Sequence, residues 1–294
     1  MLSHLQYKDK LTILFCLVDD LLALLPRPVP SLASGKRPGG RHSKLSAAEV
    51  LSLALFRFWT SQSNWKAFYG MVAAGFLKEF PSLPCYETLL RQLTRHSPLG
   101  LLLLMVLLGQ EDTQGSYALD ATALPVSRHG RRAKVVREWA AWGRDSEGRW
   151  FFGFKLHAVC DPRGRLVSLR LTPANVADVT QAGSLLTRLR GLAVADAAYI
   201  SKDLKQKLYE VGLLLLTPLR KNMKGLASLD QLQQLKGRII IETVFSVLKE
   251  RLGLVTSLPR SLDGYLVHYV ILILAYQLSR FVDDLLYSPT LPQP

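Results

Sequence analysis

The sequence predicts an α/β fold: a mixed sheet flanked by helices, preceded by an all-α N-terminal domain. Three observations lead there. Residues 150–158 alternate, with Phe151, Gly153, Lys155 and His157 on one face and Phe152, Phe154, Leu156 and Ala158 on the other, which is the period of a strand. Farther on, short apolar runs at 192–195 and 213–217 interleave with helical segments at 175–190, 201–211 and 237–253, the pattern of strands joined by helical crossovers. Before residue 112 the apolar spacing is helical, and Pro and Gly punctuate it.

In chain order, residues 5–25 form an amphipathic helix stopped by Pro26 and Pro28. Residues 26–44 are rich in Pro, Gly and Ser. They carry Arg27, Lys36, Arg37, Arg41 and Lys44 without one acid, a basic loop suited to phosphate contact. Ser46 and Glu49 make a capping box that opens a helix to about residue 59. Helices over 64–76 and 86–94 follow, and the apolar run 99–108 predicts another, buried against the next domain. Short helices bearing Lys66, Arg91 and Arg95 suit a helix-turn-helix type of DNA reader.

The texture changes at Tyr117. Strands are expected at 117–122, 150–158 and 166–171, the last two joined by a turn at Asp161-Pro162-Arg163-Gly164. The helix over 175–190 takes Asn175 as N-cap and Asp178 in its first turn. The order becomes three strands, helix, strand, helix, strand, helix, followed by a long helix over 262–286.

The 294 residues carry a net charge of +14, and nearly half of them are apolar, so the chain is a folded protein suited to a polyanion, nucleic acid before an anionic membrane. Cys16, Cys85 and Cys160 are far apart and form no C-x-x-C pair, which points away from a disulfide framework or thiolate zinc site and toward a reducing cytoplasm. The apolar runs 99–108 and 265–278 fall short of the roughly 18–20 residues that span a bilayer. The expected setting is cytoplasmic, with no membrane partner.

The candidate chemistry lies in three acids. Asp120 and Asp196 each end a short apolar strand, where a carboxylate is costly to bury alone. On an α-helix over 237–253, Arg238, Glu242 and Lys249 fall on one stripe about 40° wide at roughly 100° per residue. Together the three acids make an all-oxygen ligand set suited to Mg²⁺ or Mn²⁺, and a pair of such ions serves displacement at phosphorus. Lys155, His157, Arg238, Lys249 and the run Arg128, Arg131, Arg132, Lys134 and Arg137 surround the acids with cations. Each piece also has a structural reading: an aspartate as a cap, His157 as a core histidine, the arginine run as a solvated loop.

These pieces resemble the DDE transposases of bacterial insertion sequences, closest to insertion sequence family 982. The matching stretches are Leu119-Asp120-Ala121-Thr122, Gly153-Phe154-Lys155-Leu156-His157, 171–178, Ala195-Asp196-Ala197-Ala198-Tyr199, and Arg238 through Lys249. The family signature has a tyrosine three residues before the arginine, where this chain has Leu235. The resemblance implies an RNase H-like fold over 113–258, a helical DNA-binding region over 1–112, and a C-terminal helix over 259–294 packed on the catalytic domain. It implies Asp120, Asp196 and Glu242 as the triad binding two Mg²⁺, with Arg238 and Lys249 as phosphate binders and Lys155 and His157 as further DNA contacts. The partners would be double-stranded DNA, namely terminal inverted repeats and target, and a second copy of the chain. A nuclease of the same fold that does not join strands, and a decayed copy that only binds DNA, are the alternatives.

Overall fold

The structure, a computed structural model, describes residues 6–25, 44–60, 62, 64–109, 113–127, 135–219, 228–256 and 258–287. Its chain divides into two units, Met1–Leu107 with Asp263–Pro294, and Leu108–Leu262.

The first unit is helical: α1 (Tyr7–Ala23), α2 (Ala47–Trp59), α3 (Trp65–Gly75), α4 (Tyr86–Gly109) and the last helix, α9 (Leu262–Tyr287). The capping box of α2 forms as the sequence requires: Ser46 Oγ accepts from Glu49 N–H, and the Glu49 carboxylate accepts from Ser46 N–H. Asn64 caps α3 by accepting from Ala67 N–H. Phe56 gathers the rings of Tyr7, Phe68 and Phe76 edge-on at 5.7–6.1 Å, so α1, α2 and α3 share one aromatic core.

Two expectations change in this unit. The helices expected at 86–94 and 99–108 are a single helix, α4, which runs through Pro98. Proline leaves the carbonyl of Thr94 without its helical donor; the Ser97 hydroxyl donates to that carbonyl at 2.9 Å instead. The second change concerns the C-terminal helix, expected on the catalytic domain, which groups with the N-terminal helices. Trp59 Nε1 donates to Ala275 O, and the Phe58 ring lies 5.9 Å from that of His268. Gly100 of α4 makes room for the same helix, because a Cβ there would stand 3.1 Å from the Ile271 methyl. One described stretch, Leu262–Asp283, is also long and apolar enough by composition to cross a membrane, because the apolar run continues past scattered polar residues; two-thirds of it is buried in the fold.

The second unit is built on a fourteen-residue strand, β1 (Gln114–Ser127), longer than expected. On one side β1 pairs antiparallel with β3 (Trp150–Cys160), which pairs antiparallel with β4 (Leu166–Pro173). On the other side it pairs parallel with β5 (Arg190–Val194), which pairs parallel with β6 (Leu213–Leu216). Between the parallel strands come α5 (Asp178–Leu186) and α6 (Lys202–Glu210). These two helices cover one sheet face: Tyr117, Leu119, Val159, Ala193 and Leu213 pack with Ala182, Leu185, Leu186 and Leu208. After β6 come α7 (Leu229–Leu235), which had not been expected, and α8 (Ile239–Ser246), which packs on β1 and β3.

A fourth antiparallel strand, β2 (Ala141–Arg144), pairs with the first residues of β3. Its turn had a legible signal. Asp145-Ser146-Glu147-Gly148-Arg149 repeats the design of Asp161-Pro162-Arg163-Gly164-Arg165. In each, one aspartate oxygen accepts two backbone N–H groups and the other accepts the arginine Nε. Gly148 and Gly164 take φ of 77° and 78°, the left-handed conformation that glycine adopts without strain.

Candidate active site

The sheet register brings the two aspartates together. Ala118 of β1 lies opposite Val194, the last residue of the parallel strand β5. Two residues on from each, in step along adjacent strands about 4.8 Å apart, come Asp120 and Asp196. This is the place where the sheet changes from antiparallel to parallel, a natural crevice for a ligand. Asp120 accepts from Ala121 N–H at 2.7 Å, and Asp196 accepts from Ala198 N–H at 2.5 Å as the cap of a short 3₁₀ turn.

Arg238 ties Glu242 to the pair. Its guanidinium lies 2.7 Å from Glu242 Oε1, 3.8 Å from Asp120 Oδ2 and 4.0 Å from Asp196 Oδ2. One cation thus touches all three acids that the sequence singled out. Their separation along the chain is closed by the sheet and by the seating of α8, whose Ile241, Val244 and Phe245 are buried. The helix around them is not uniform: a 3₁₀ turn, Lys236–Arg238, precedes α8 and a π turn, Val247–Arg251, follows it. The stripe calculated for a straight α-helix therefore holds for the Arg238–Glu242 pair, whereas Lys249 is placed by the π turn. Such turns concentrate at functional sites.

Burial raises the Asp120 carboxyl from 3.8 to about 6, against the pull of the Ala121 N–H and of Arg238, with Asp196 and Asp178 adding repulsion. Lys249 is lowered by burial, and the facing charge of Asp120 opposes that shift. Behind the acids, the Tyr199 hydroxyl is buried without a hydrogen-bond partner among the described residues. Burial first, then the charges of Asp178, Asp120 and Asp196, push its pKa far up, so it stays protonated.

The remaining cations divide. Lys155 donates to Asp178 Oδ1 at 2.8 Å and to Val176 O at 3.0 Å, and is mostly buried. His157 is fully buried, with Nε2 2.8 Å from Thr172 Oγ1. On the other side of the ring, His157 Nδ1 lies 3.8 Å from Asp178 Oδ1. Burial lowers the His157 pKa and keeps the ring neutral. Both were expected to touch DNA; the structure places them inside, against Asp178 and Thr172, because their strand face lies under α5. Asp178 is correspondingly not a capping partner of Asn175, since the N-cap of α5 is Ala177. Arg137 is exposed, whereas Lys36, Arg37, Arg41, Arg128, Arg131, Arg132 and Lys134 lie outside the described residues.

With this geometry stand the comparisons with known proteins. Residues 110–261, just over half of the chain, match the family described as Transposase DDE domain. The chain belongs to the DDE transposase family. No curated protein and no solved structure matches it. Membership supports a transposase or nuclease enzyme acting on DNA, in a family whose domains generally use divalent metals.

The donors of this DDE transposase domain fit such a metal in kind: three carboxylates, all oxygen, converging on one positive group. As placed around Arg238, they do not form a three-residue metal group, and there is none elsewhere among the described residues. What reading the transposase sequence missed is the role of Asp178, taken there as part of a helix cap, as the partner of Lys155. A lysine on a strand face otherwise directed into the core was the signal, because a buried ammonium requires a carboxylate.

Proposed function

We propose that this chain is the transposase of an insertion sequence, of the group built like family 982, with an RNase H-like catalytic domain. The RNase H-like reading is supported by the sheet, in which one central strand joins an antiparallel meander to two parallel strands connected through helices. In this reading the enzyme binds terminal inverted repeats, cleaves at their ends, and joins the freed 3′-hydroxyl to target DNA.

The observation that carries the proposal is the contact of one guanidinium with Asp120, Asp196 and Glu242. These three residues would hold two Mg²⁺, with Mn²⁺ as a substitute. Such ions would supply activation of the attacking water or 3′-hydroxyl and stabilisation of the leaving oxygen. The protein's own part is to keep the carboxylates in register on two strands and a helix. Asp120, with its pKa of about 6, is ionised at neutral pH. Arg238 and Lys249 offset the repulsion between the acids and a phosphate backbone. The helical unit and the basic stretch over 26–44 read the DNA, two copies act on the paired ends, and the setting is the cytoplasm.

The test is a strand-transfer assay with Mg²⁺ on oligonucleotides carrying the element's ends. Asp196→Asn and Glu242→Gln abolish both cleavage and joining while leaving repeat binding intact. Near-wild-type cleavage by either variant removes that residue from the triad. A pre-cut end separates joining from cleavage: wild-type protein that cuts but never joins it is a nuclease.

A further inference from the structure

We propose that Arg238 stands in the place of the divalent ions: its guanidinium holds the three carboxylates together before DNA arrives and must leave them for metal to bind. This rests on the metal-binding reading of Asp120, Asp196 and Glu242 above and adds how that site is regulated. Two features of the site support it. The guanidinium bridges all three acids at 2.7, 3.8 and 4.0 Å. With the guanidinium between them, the same acids do not form a group of three that could hold one ion. A guanidinium is broad and planar, whereas Mg²⁺ draws its oxygens to about 2.1 Å. The two occupants therefore exclude each other.

The departure of Arg238 needs a second anion, since its charge cannot be left without a partner among retracting carboxylates. A DNA phosphate is that anion, and a guanidinium binds phosphate oxygens in the same forked geometry as carboxylate oxygens. The Arg238 side chain is about one-third exposed and sits at the junction of a 3₁₀ turn and α8, so it reaches outward by rotamer change. Metal affinity is then low in the free protein and high in the DNA complex. A nuclease centre of this kind stays unloaded until substrate is present. Arg238 is here a positioning residue, acting through the carboxylates.

The experiment measures Mn²⁺ binding by electron paramagnetic resonance of free Mn²⁺ in the full chain, with and without a DNA duplex, for wild type, Arg238→Gln and Arg238→Lys. Without DNA, Arg238→Gln binds Mn²⁺ about tenfold or more tightly than wild type. Arg238→Lys, which keeps the charge but not the fork, falls between them and serves if the glutamine variant does not fold. Adding duplex tightens wild-type binding toward the Arg238→Gln value and changes Arg238→Gln little. Equal affinity of wild type and Arg238→Gln without DNA overturns the inference and leaves the metal-binding reading standing. Absence of Mn²⁺ binding in every protein, with or without duplex, overturns both.

Discussion

Replacing Asp120 with asparagine makes the metal-free protein more stable. The carboxylate is mostly buried, 22 % exposed, and its pKa rises from 3.8 to about 6 despite Arg238 at 3.8 Å. At ~1.4 kcal/mol per pH unit, the folded protein therefore carries about 3 kcal/mol of penalty at neutral pH for keeping this group ionised. The sign follows from proton binding. Between pH 3.8 and about 6 the folded state holds the Asp120 proton more tightly than the unfolded chain does. Wild-type stability from this group is thus fully present below that window and is lost as pH rises through it. Asp120→Asn has no such loss, and its amide oxygen still accepts from Ala121 N–H. In EDTA, urea unfolding followed by tryptophan fluorescence gives the variant an advantage of about 3 kcal/mol at pH 7.5 and about half that at pH 5. Because both proteins share every other titrating group, the difference isolates Asp120. Mn²⁺ narrows the gap, since an ion bound to the carboxylate favours the wild-type fold alone. A variant no more stable than wild type at pH 7.5 refutes the reasoning. So does an advantage that is the same at both pH values, because charge would then not be its source.

Three further outcomes are expected. Lys155→Ala strips the partner from a half-buried Asp178 that also faces Asp120, and destabilises the protein by about 1–3 kcal/mol in urea unfolding; adding Asp178→Asn recovers much of the loss, and a neutral Lys155→Ala shows the pair to be unimportant. Lys249→Ala weakens binding to DNA of any sequence and lowers the slope of log K against log salt by about 1, as one phosphate contact requires; an unchanged slope in a titration from 50 to 200 mM salt removes Lys249 from the phosphate contacts. Mn²⁺ binding to the duplex-bound wild type falls as pH drops below about 6, where Asp120 takes up its proton; binding that is flat from pH 7.5 to 5 places the ions elsewhere.

The sequence by itself determined whatever depends on neighbours a few residues apart. The capping box at Ser46 and Glu49, the Asn64 cap, the alternation in β3, the turn at Asp161 and the pairing of Arg238 with Glu242 are local, set by side-chain chemistry and the period of the element. The turn at Asp145 was equally local, and its likeness to the turn at Asp161 made β2 legible to anyone comparing the two. Tertiary structure alone decided the rest. Nothing near Asp120 states that Ala118 pairs with Val194, yet that register is what sets Asp196 beside it. Ser97, beside Pro98, supplies a local donor for the freed carbonyl, but only the packing of α9 beside Gly100 shows that α4 continues. Lys155 and His157 share a strand face, but only the placement of α5 over it turns them from exposed cations into partners of Asp178 and Thr172. Strand register and helix seating are non-local choices, fixed by burial summed over a whole sheet face, and no short stretch of sequence contains that sum.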